Sequence, residues 1–363
     1  MKKDRLLSLD VFRGITIAAM ILVNDPGSWS YVYSPLLHAK WHGCTPTDLV
    51  FPFFLFMVGV AVSLGSPKEG EDRKKITYKI IKRSLYLFLI GLFLNAFPYF
   101  ELSTLRIPGV LQRIGLVFLV IGLMHHYIST QTQIITSAGL LVLYWLLMTF
   151  MPVPDFGVAN LEPETNFAAW FDRLFLSGHM WKYSKTWDPE GLLSTLPSIV
   201  TGLLGMFTGK LLFGTDDKLS GIVRLFVLAN VIIALGLAWD MTFPINKSLW
   251  TSSFVLYTAG IAMHFFAVLY WVLDIKKYRT DFTFPFQVFG SNAITAYALS
   301  GVLATTFGVI KIGDESIQEI LFNSLFNLFG DHHFASLVYA LAFVAVCYVP
   351  VWVLYRRNIF IKV

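Results

Sequence analysis

The chain has 363 residues, of which 56% are hydrophobic, 16% aromatic and only 14% charged, against about 25% charged in a soluble globular domain. A hydrocarbon core about 30 Å thick takes about 20 apolar residues per helix, so ten crossings use about 200 residues and a soluble enzyme on a single anchor is excluded. The formal charge of +5 is not read as a nucleic-acid signal; in so apolar a chain it fits lysine and arginine held in cytoplasmic loops.

The first ten residues are charged and run into an apolar stretch with Asp10 and Arg13 at its mouth and no small-residue cleavage pattern after it. That stretch is expected to be a retained first span, not a signal peptide. Apolar windows then predict spans over about 9–25, 47–65, 84–100, 109–128, 133–151, 193–213, 221–241, 250–273, 285–310 and 335–355. The segment 317–329 is apolar on one side but short, and reads as interfacial or re-entrant, with an eleventh span as the alternative. The expected fold is an all-α polytopic membrane protein of about ten transmembrane helices, forming one integral membrane domain over residues 1–363.

An even number of spans puts both termini on one side. If that side is the cytoplasm, nineteen of the 28 lysines and arginines fall in inner segments (the N-terminus, 68–83, 210–224, 276–279 and 356–362) and seven outside. This asymmetry sets the expected orientation, with both termini cytoplasmic in the cell (inner) membrane. The connection 152–192 is then an outer loop or lid, and Trp170, Trp181, Tyr183 and Trp187 fit either an ordered sugar-facing surface or an aromatic belt. Cys44 and Cys347 are too few for a disulfide framework and are expected to be unpaired.

The chain shows no Walker phosphate loop, no GxGxxG, no HExxH and no calcium loop, which excludes the usual nucleotide hydrolases. What remains are ionisable and amide residues in or beside spans, each costly there and so a functional candidate. Asp10 and Arg13, three apart on a helix, fit an ion pair or an anion site in which Asp10 orients the guanidinium towards a phosphate. Asn24 lies about 16 Å further along a continuous helix, a length that an extended pantetheine arm also reaches. His38 and His42 with Cys44 read as solvated loop residues, as metal ligands, or as a base working near neutral pH. Gln112 and Arg113 fall a turn inside a span that opens at Pro108, and Arg113 needs a partner there: Asp10, Asp48, Asp240 or a bound anion. Trp187-Asp188-Pro189-Glu190-Gly191 precedes the sixth span, its carboxylates capping that helix or meeting an acceptor. Asn292, an amide within a span, needs a polar partner.

The stretches Leu6–Gly14, Val23-Asn24, His38–Trp41, Asp48–Pro52, Leu105–Arg113, Trp187–Gly191, Asn246–Trp250 and Gly290–Asn292 resemble the heparan-α-glucosaminide N-acetyltransferase family, within the transmembrane acyltransferases. The resemblance implies transfer of acetyl from cytoplasmic acetyl-CoA, as co-substrate, to the amine of a glucosamine-type sugar on the far side. It implies His38 as the catalytic residue, with Asn24 beside it, and leaves His42 and a metal outside the pattern. By this resemblance the protein is expected to lack the large amino-terminal luminal region of the animal enzyme and to have a longer spacing from Asn24 to His38. The expected donor site comprises Asp10, Arg13, Gln112, Arg113, Asn292, Arg356, Arg357 and Lys362. The expected acceptor site comprises Trp41, Asp48, Trp187, Asp188 and Glu190. His38 acts either as a base on the sugar ammonium or as a nucleophile forming an acetyl-imidazole, and Asn24 supports charge on the thioester oxygen. The expected partners are the bilayer and the amino sugar, with a homodimer left open and no nucleic acid. The competing readings are a carrier of sugars or organic anions and an O-acetyltransferase acting on a surface glycan.

Overall fold

The computed structural model describes residues 6–65, 72–154, 156–278 and 280–361. Lys362, expected to help bind the donor, and Lys2, Lys3, Arg5, Lys68 and Arg279 of the basic segments lie outside the described residues. In chain order the helices are α1 (Leu7–Asn24), α2 (Val50–Leu64), α3 (Arg73–Ala96), α4 (Val110–Tyr127), α5 (Thr130–Phe150), α6 (Phe167–Leu176), α7 (Thr195–Phe213), α8 (Lys218–Asp240), α9 (Ser252–Leu269), α10 (Phe284–Ser291), α11 (Ala293–Val309), α12 (Ile317–Phe329) and α13 (His332–Arg356). The only β-structure among the described residues is a two-stranded hairpin, Lys311–Ile312 with Glu315–Ser316.

Among the described residues eight helices are long and apolar enough to cross a membrane, or nine if the bent pair α10 and α11 is one span. Helix α3, 24 residues long, also has spanning length. Each of the ten expected windows therefore falls on a helix, and the chain is an all-α polytopic membrane protein. Two windows differ in shape. Helix α3 begins at Arg73, well before 84, because its first half carries six lysines and arginines that form helix readily but depress hydropathy. The window 285–310 is two helices meeting at 81°. Segment 317–329 is a helix of 13 residues, opened by a Ser316/Glu319 capping box and closed by Gly330 at φ 73°. It is too short to cross.

The chain divides into two compact units. The first comprises Met1–His38, Thr45–Phe51 and Leu269–Val363. Helix α1 has no cap of its own; instead the Asp274 carboxylate, 267 residues away, accepts from the Leu7 and Ser8 N–H groups at 3.0 Å each, satisfying two of the donors a helix start leaves open. Helices α1 and α10 meet backbone to backbone. A Cβ on Gly14 would stand 1.7 Å from the Phe286 oxygen, and one on Gly290 1.8 Å from the Asp10 oxygen, so each position needs glycine for the helices to approach this closely. Two residues on, the chain breaks at Asn292, whose Oδ1 accepts from Ile361 N at 2.9 Å and whose Nδ2 donates to Ile359 O at 3.1 Å.

The second unit comprises Ala39–Cys44 and Pro52–Val268. Its buried cluster joins Tyr144 and Met148 of α5, Phe167 and Ala168 of α6, and Phe243 and Leu249. The Tyr144 hydroxyl donates to Leu249 O at 2.5 Å, and fully buried Trp250 donates to Thr201 Oγ1 at 3.1 Å. Residues 156–192 are built around α6, which Asn166 caps by accepting from Ala169 N at 2.8 Å.

Candidate active site

In the first unit, the connection after α1 folds back on itself. Thr45 Oγ1 donates to Leu37 O at 2.7 Å and Thr47 Oγ1 to Pro35 O at 3.2 Å, fixing residues 34–38 against the short helical turn Pro46–Leu49. Asp48 on that turn is 1% exposed, and its Oδ1 stands 2.7 Å from His38 Nδ1. Its other oxygen accepts from Thr45 N at 2.9 Å. The His38 side chain is 44% exposed. An ionised carboxylate only accepts, so the proton of this bond belongs to Nδ1 and the lone pair lies on Nε2. A buried carboxylate that sets the tautomer of an accessible imidazole is the arrangement of a general base. Asp48, expected above to meet the acceptor, sits instead beneath His38. Asn24 closes α1 with its side chain exposed.

At the start of α1, Arg13 Nη2 reaches Asp10 Oδ1 at 2.5 Å, with Asp10 buried and Arg13 24% exposed. The ion pair of the sequence reading thus forms, and Arg13 Nε is buried without a partner among the described residues. The close packing of Gly290 on Asp10, and the bonds from Asn292 to residues 359 and 361, bring Asp10, Asn292 and the end of α13 to one end of this unit. The partner that Asn292 needed is main chain of the C-terminal tail. Arg356 and Arg357 are exposed there, Arg356 5.5 Å from the Trp352 ring.

In the second unit, the segment after His38 takes a separate course. Gly43 N donates to Ile245 O at 2.7 Å, and Asn246 Nδ2 lies 3.4 Å from His42 Nδ1. Trp41 Nε1 donates to Leu161 O at 2.9 Å, and its ring meets Trp187 edge-on at 5.2 Å; Trp187 in turn meets Trp181 at 6.1 Å. The segment holding Trp187 is fixed by arginine. Arg106 donates to Asp188 through Nε at 2.8 Å and Nη2 at 2.6 Å, and to Glu190 at 2.6 Å. Arg113, fully buried, donates to Gly191 O at 3.0 Å and Ser194 Oγ at 2.5 Å, with its guanidinium 5.2 Å from the Trp250 ring. Asp240, the carboxylate of this unit expected to meet Arg113, accepts instead from Ile245 N at 2.6 Å. The hydrogen bonds Arg113 makes go to residues just past Glu190, and its Nε and Nη1 are buried without a partner among the described residues. Gln112 is buried against Gly91 and Gly109.

The charges in this cluster shift one another. Burial works against the charge on Arg106, but Asp188 and Glu190 outweigh it and hold the guanidinium above its usual value. Burial likewise opposes ionisation of Glu190, yet Arg106, Arg113 and Lys247 keep its carboxyl below the usual range. Asp172 goes the other way. Burial pushes it up to about 7, with the charge of Asp188 adding and the backbone N–H of Leu192 opposing. Because the folded pKa exceeds the unfolded one, the stability Asp172 contributes is complete below pH of about 4 and is lost as pH rises through about 7. Asp172→Asn is expected to remove this dependence. The unfolding free energy of the variant should gain on wild type by up to about 1.4 kcal/mol per pH unit across that window, measured as the difference between their melting curves. Parallel curves would refute the shift.

Sequence reasoning missed Arg106, Asp172 and Asp274. Arg106 had a signal in the sequence: two carboxylates at Asp188 and Glu190 beside a span need a cation, and Arg106 stands in the same stretch, Leu105–Arg113, as Arg113. Asp172 and Asp274 had none, since their partners are backbone N–H groups. Among the described residues no group of three or more His, Cys, Asp or Glu is placed to hold a metal ion.

Together these features define a polytopic membrane protein that displays an imidazole on a buried carboxylate in the connection between its first two long helices. A sequence profile of the family described as heparan-alpha-glucosaminide N-acetyltransferase, catalytic, matches residues 5–237, and the chain belongs to that family. It is 28% identical over 419 aligned residues to the mouse protein named heparan-alpha-glucosaminide N-acetyltransferase, covering 99% of this chain and 61% of that one. Against the human protein of the same name it is 30% identical over 418, covering 99% and 60%. The chain thus spans about three-fifths of the length of these relatives.

Proposed function

We propose that this protein transfers an acetyl group from acetyl-CoA to the amine of a glucosamine-type sugar, with His38 as the general base. The observation that carries the reading is the His38–Asp48 pair, an accessible imidazole on a buried carboxylate; family membership supports the substrates. In this scheme His38 Nε2 takes a proton from the sugar ammonium. The freed amine attacks the thioester carbonyl carbon, the C–S bond breaks, the imidazolium returns its proton to the departing sulfur, and the second nitrogen proton leaves to water. Amide, free thiol and one proton result. Asn24, next to the buried end of α1, is the proposed donor to the thioester oxygen as it gains charge. Arg13, Arg356 and Arg357 are the proposed grip on the phosphates of the donor; within the second unit by itself, Trp41 and Trp187 offer aromatic faces of the kind that suit a sugar ring.

The count of basic residues supports delivery of acetyl from the cytoplasm to the outer face of the cell (inner) membrane. The test uses purified protein in vesicles with acetyl-CoA and glucosamine. Stoichiometric release of free thiol and N-acetylglucosamine is expected, and transport of either substrate without thiol release would make the protein a carrier.

A further inference from the structure

Helix α3 packs along a single stripe. Its buried residues, Ile80, Ser84, Leu87 and Gly91, recur every three or four positions and lie on α4. Ser84 Oγ donates to Gly115 O at 2.8 Å, and a Cβ on Gly91 would stand 2.2 Å from Gln112 Oε1. Much of the remaining surface is exposed. In the second half of the helix that surface is apolar, with Leu85, Tyr86, Leu89 and Phe93, as suits a helix bordered by lipid.

In the first half it is basic. Arg73, Lys74, Lys75, Lys79, Lys82 and Arg83 are all exposed, and α3 contains no acidic residue. Asp72, just before it, caps the helix by accepting from Lys74 N at 3.0 Å. Lys74, Lys75 and Lys82 form no ion pair among the described residues. Two stripes run side by side at helical spacing: Lys74, Tyr78, Ile81 and Leu85, and Lys75, Lys79, Lys82 and Tyr86. The charges thus stand among apolar neighbours. Lys82 Nζ lies 5.6 Å from the Tyr86 ring, and the Arg83 guanidinium 4.8 Å from the Phe118 ring of α4. Long cationic side chains in such a setting lay their stems on apolar surface and lift the charge towards water.

Length fixes where these charges meet the bilayer. The uncharged remainder of α3, 84–96, is about 20 Å long, against a hydrocarbon core of about 30 Å. Tyr99 and Phe100 beyond it are exposed and suit the interface, where such rings collect. A short span is accommodated by thinning of the bilayer and by snorkelling, and both bring headgroups to the turns that hold Lys79, Lys82 and Arg83. At that depth the counter-ion the bilayer itself supplies is a phosphodiester.

We propose that the basic half of α3 is a docking surface for anionic phospholipid. Phosphodiesters of the adjoining leaflet seat on the stripe of Lys75, Lys79 and Lys82, and their acyl chains lie along Ile81 and Leu85 of the stripe beside it. The apolar residues between the cations favour a ligand with acyl chains over a soluble phosphate. An anionic membrane surface attracts each nearby lysine or arginine by about fivefold, so the cations closest to the apolar half should decide the preference.

The test offers the full chain, purified in detergent, equimolar phosphatidylglycerol and phosphatidylcholine with identical acyl chains, and counts the lipids retained by native mass spectrometry. Wild type is expected to favour phosphatidylglycerol by about fivefold or more. Lys79→Gln with Lys82→Gln should bring the ratio below about twofold. Lys182→Gln with Lys185→Gln, which removes the same charge from exposed positions outside α3, should leave it unchanged. Equal retention of the two lipids by wild type would overturn the proposal. An equal loss of preference in the two double variants would do the same, since net charge alone would then be at work. Displacement of phosphatidylglycerol by a tenfold excess of glycerol phosphate would also overturn it, marking a site for soluble anions. A melting temperature close to that of wild type reports that a variant is folded. If Lys79→Gln with Lys82→Gln fails that check, Lys74→Gln with Lys75→Gln decides.

Discussion

Replacing His38 by Ala is expected to abolish acetyl transfer, and replacing Asp48 by Asn to lower its rate by about a hundred- to ten-thousand-fold. The two effects have different origins. Alanine removes the group of the pair that can take a proton; the imidazole is 44% exposed, so the variant should still fold, with a melting temperature lowered by the 2.7 Å partner that buried Asp48 gives up. Asparagine is nearly isosteric with Asp48 and keeps an oxygen to accept from Thr45 N, now made at 2.9 Å. If its amide nitrogen turns to His38, it donates to Nδ1, forces the ring proton to Nε2, and so removes the base. If its oxygen turns there instead, the tautomer survives but the imidazolium formed during transfer loses its counter-charge. Either way kcat falls, while KM for donor and acceptor should move only a few-fold, since Asp48 is buried beneath the ring and touches neither. Steady-state thiol release gives both constants. An Asp48→Asn enzyme retaining more than a tenth of wild-type kcat would remove Asp48 from the mechanism, and a turning-over His38→Ala enzyme would remove the base.

How much of this was legible beforehand follows the range of the forces involved. Hydropathy is summed along the chain, so nine of the ten windows found one helix each and the tenth a bent pair, and the short amphipathic segment 317–329 was delimited to the residue. The bend at Asn292 is different, because the bonds that hold it run to residues 67 and 69 positions away; a buried amide announced that a partner was needed, not that it would be main chain of the tail. The same holds for Arg113. Cost alone required a partner, and the sequence offered three carboxylates, but the guanidinium meets a carbonyl, a hydroxyl and an indole face, with Nε and Nη1 buried and without a hydrogen bond among the described residues. His38 was singled out by resemblance alone, whereas its pairing with Asp48, ten residues on, needed the fold-back that Thr45 and Thr47 secure.

The second large effect concerns stability. Arg106→Ala is expected to lower the unfolding free energy by about 3–5 kcal/mol, the cost of breaking a buried ion pair from one side. Asp188 is fully buried in the pair and Glu190 nearly so, and Arg106 is 22% exposed, so little water is at hand to replace the guanidinium. Asp188 retains the Trp181 N–H at 2.9 Å and the Glu190 N–H at 2.9 Å, but Glu190 loses the cation that most opposes its burial. Arg106→Lys should recover only part of the loss, because one ammonium cannot reproduce the forked contact that Nε and Nη2 make with Asp188. The informative variant removes the charges together: Arg106→Met with Asp188→Asn and Glu190→Gln should be more stable than Arg106→Ala, since the penalty lies chiefly in uncompensated carboxylates and not in the lost attraction. Thermal unfolding in lipid nanodiscs separates these cases. If Arg106→Ala costs less than about 1 kcal/mol, the level of an exposed surface pair, or if the triple variant is the least stable of the set, then Arg106 does not hold residues 187–191 in the way its three hydrogen bonds indicate.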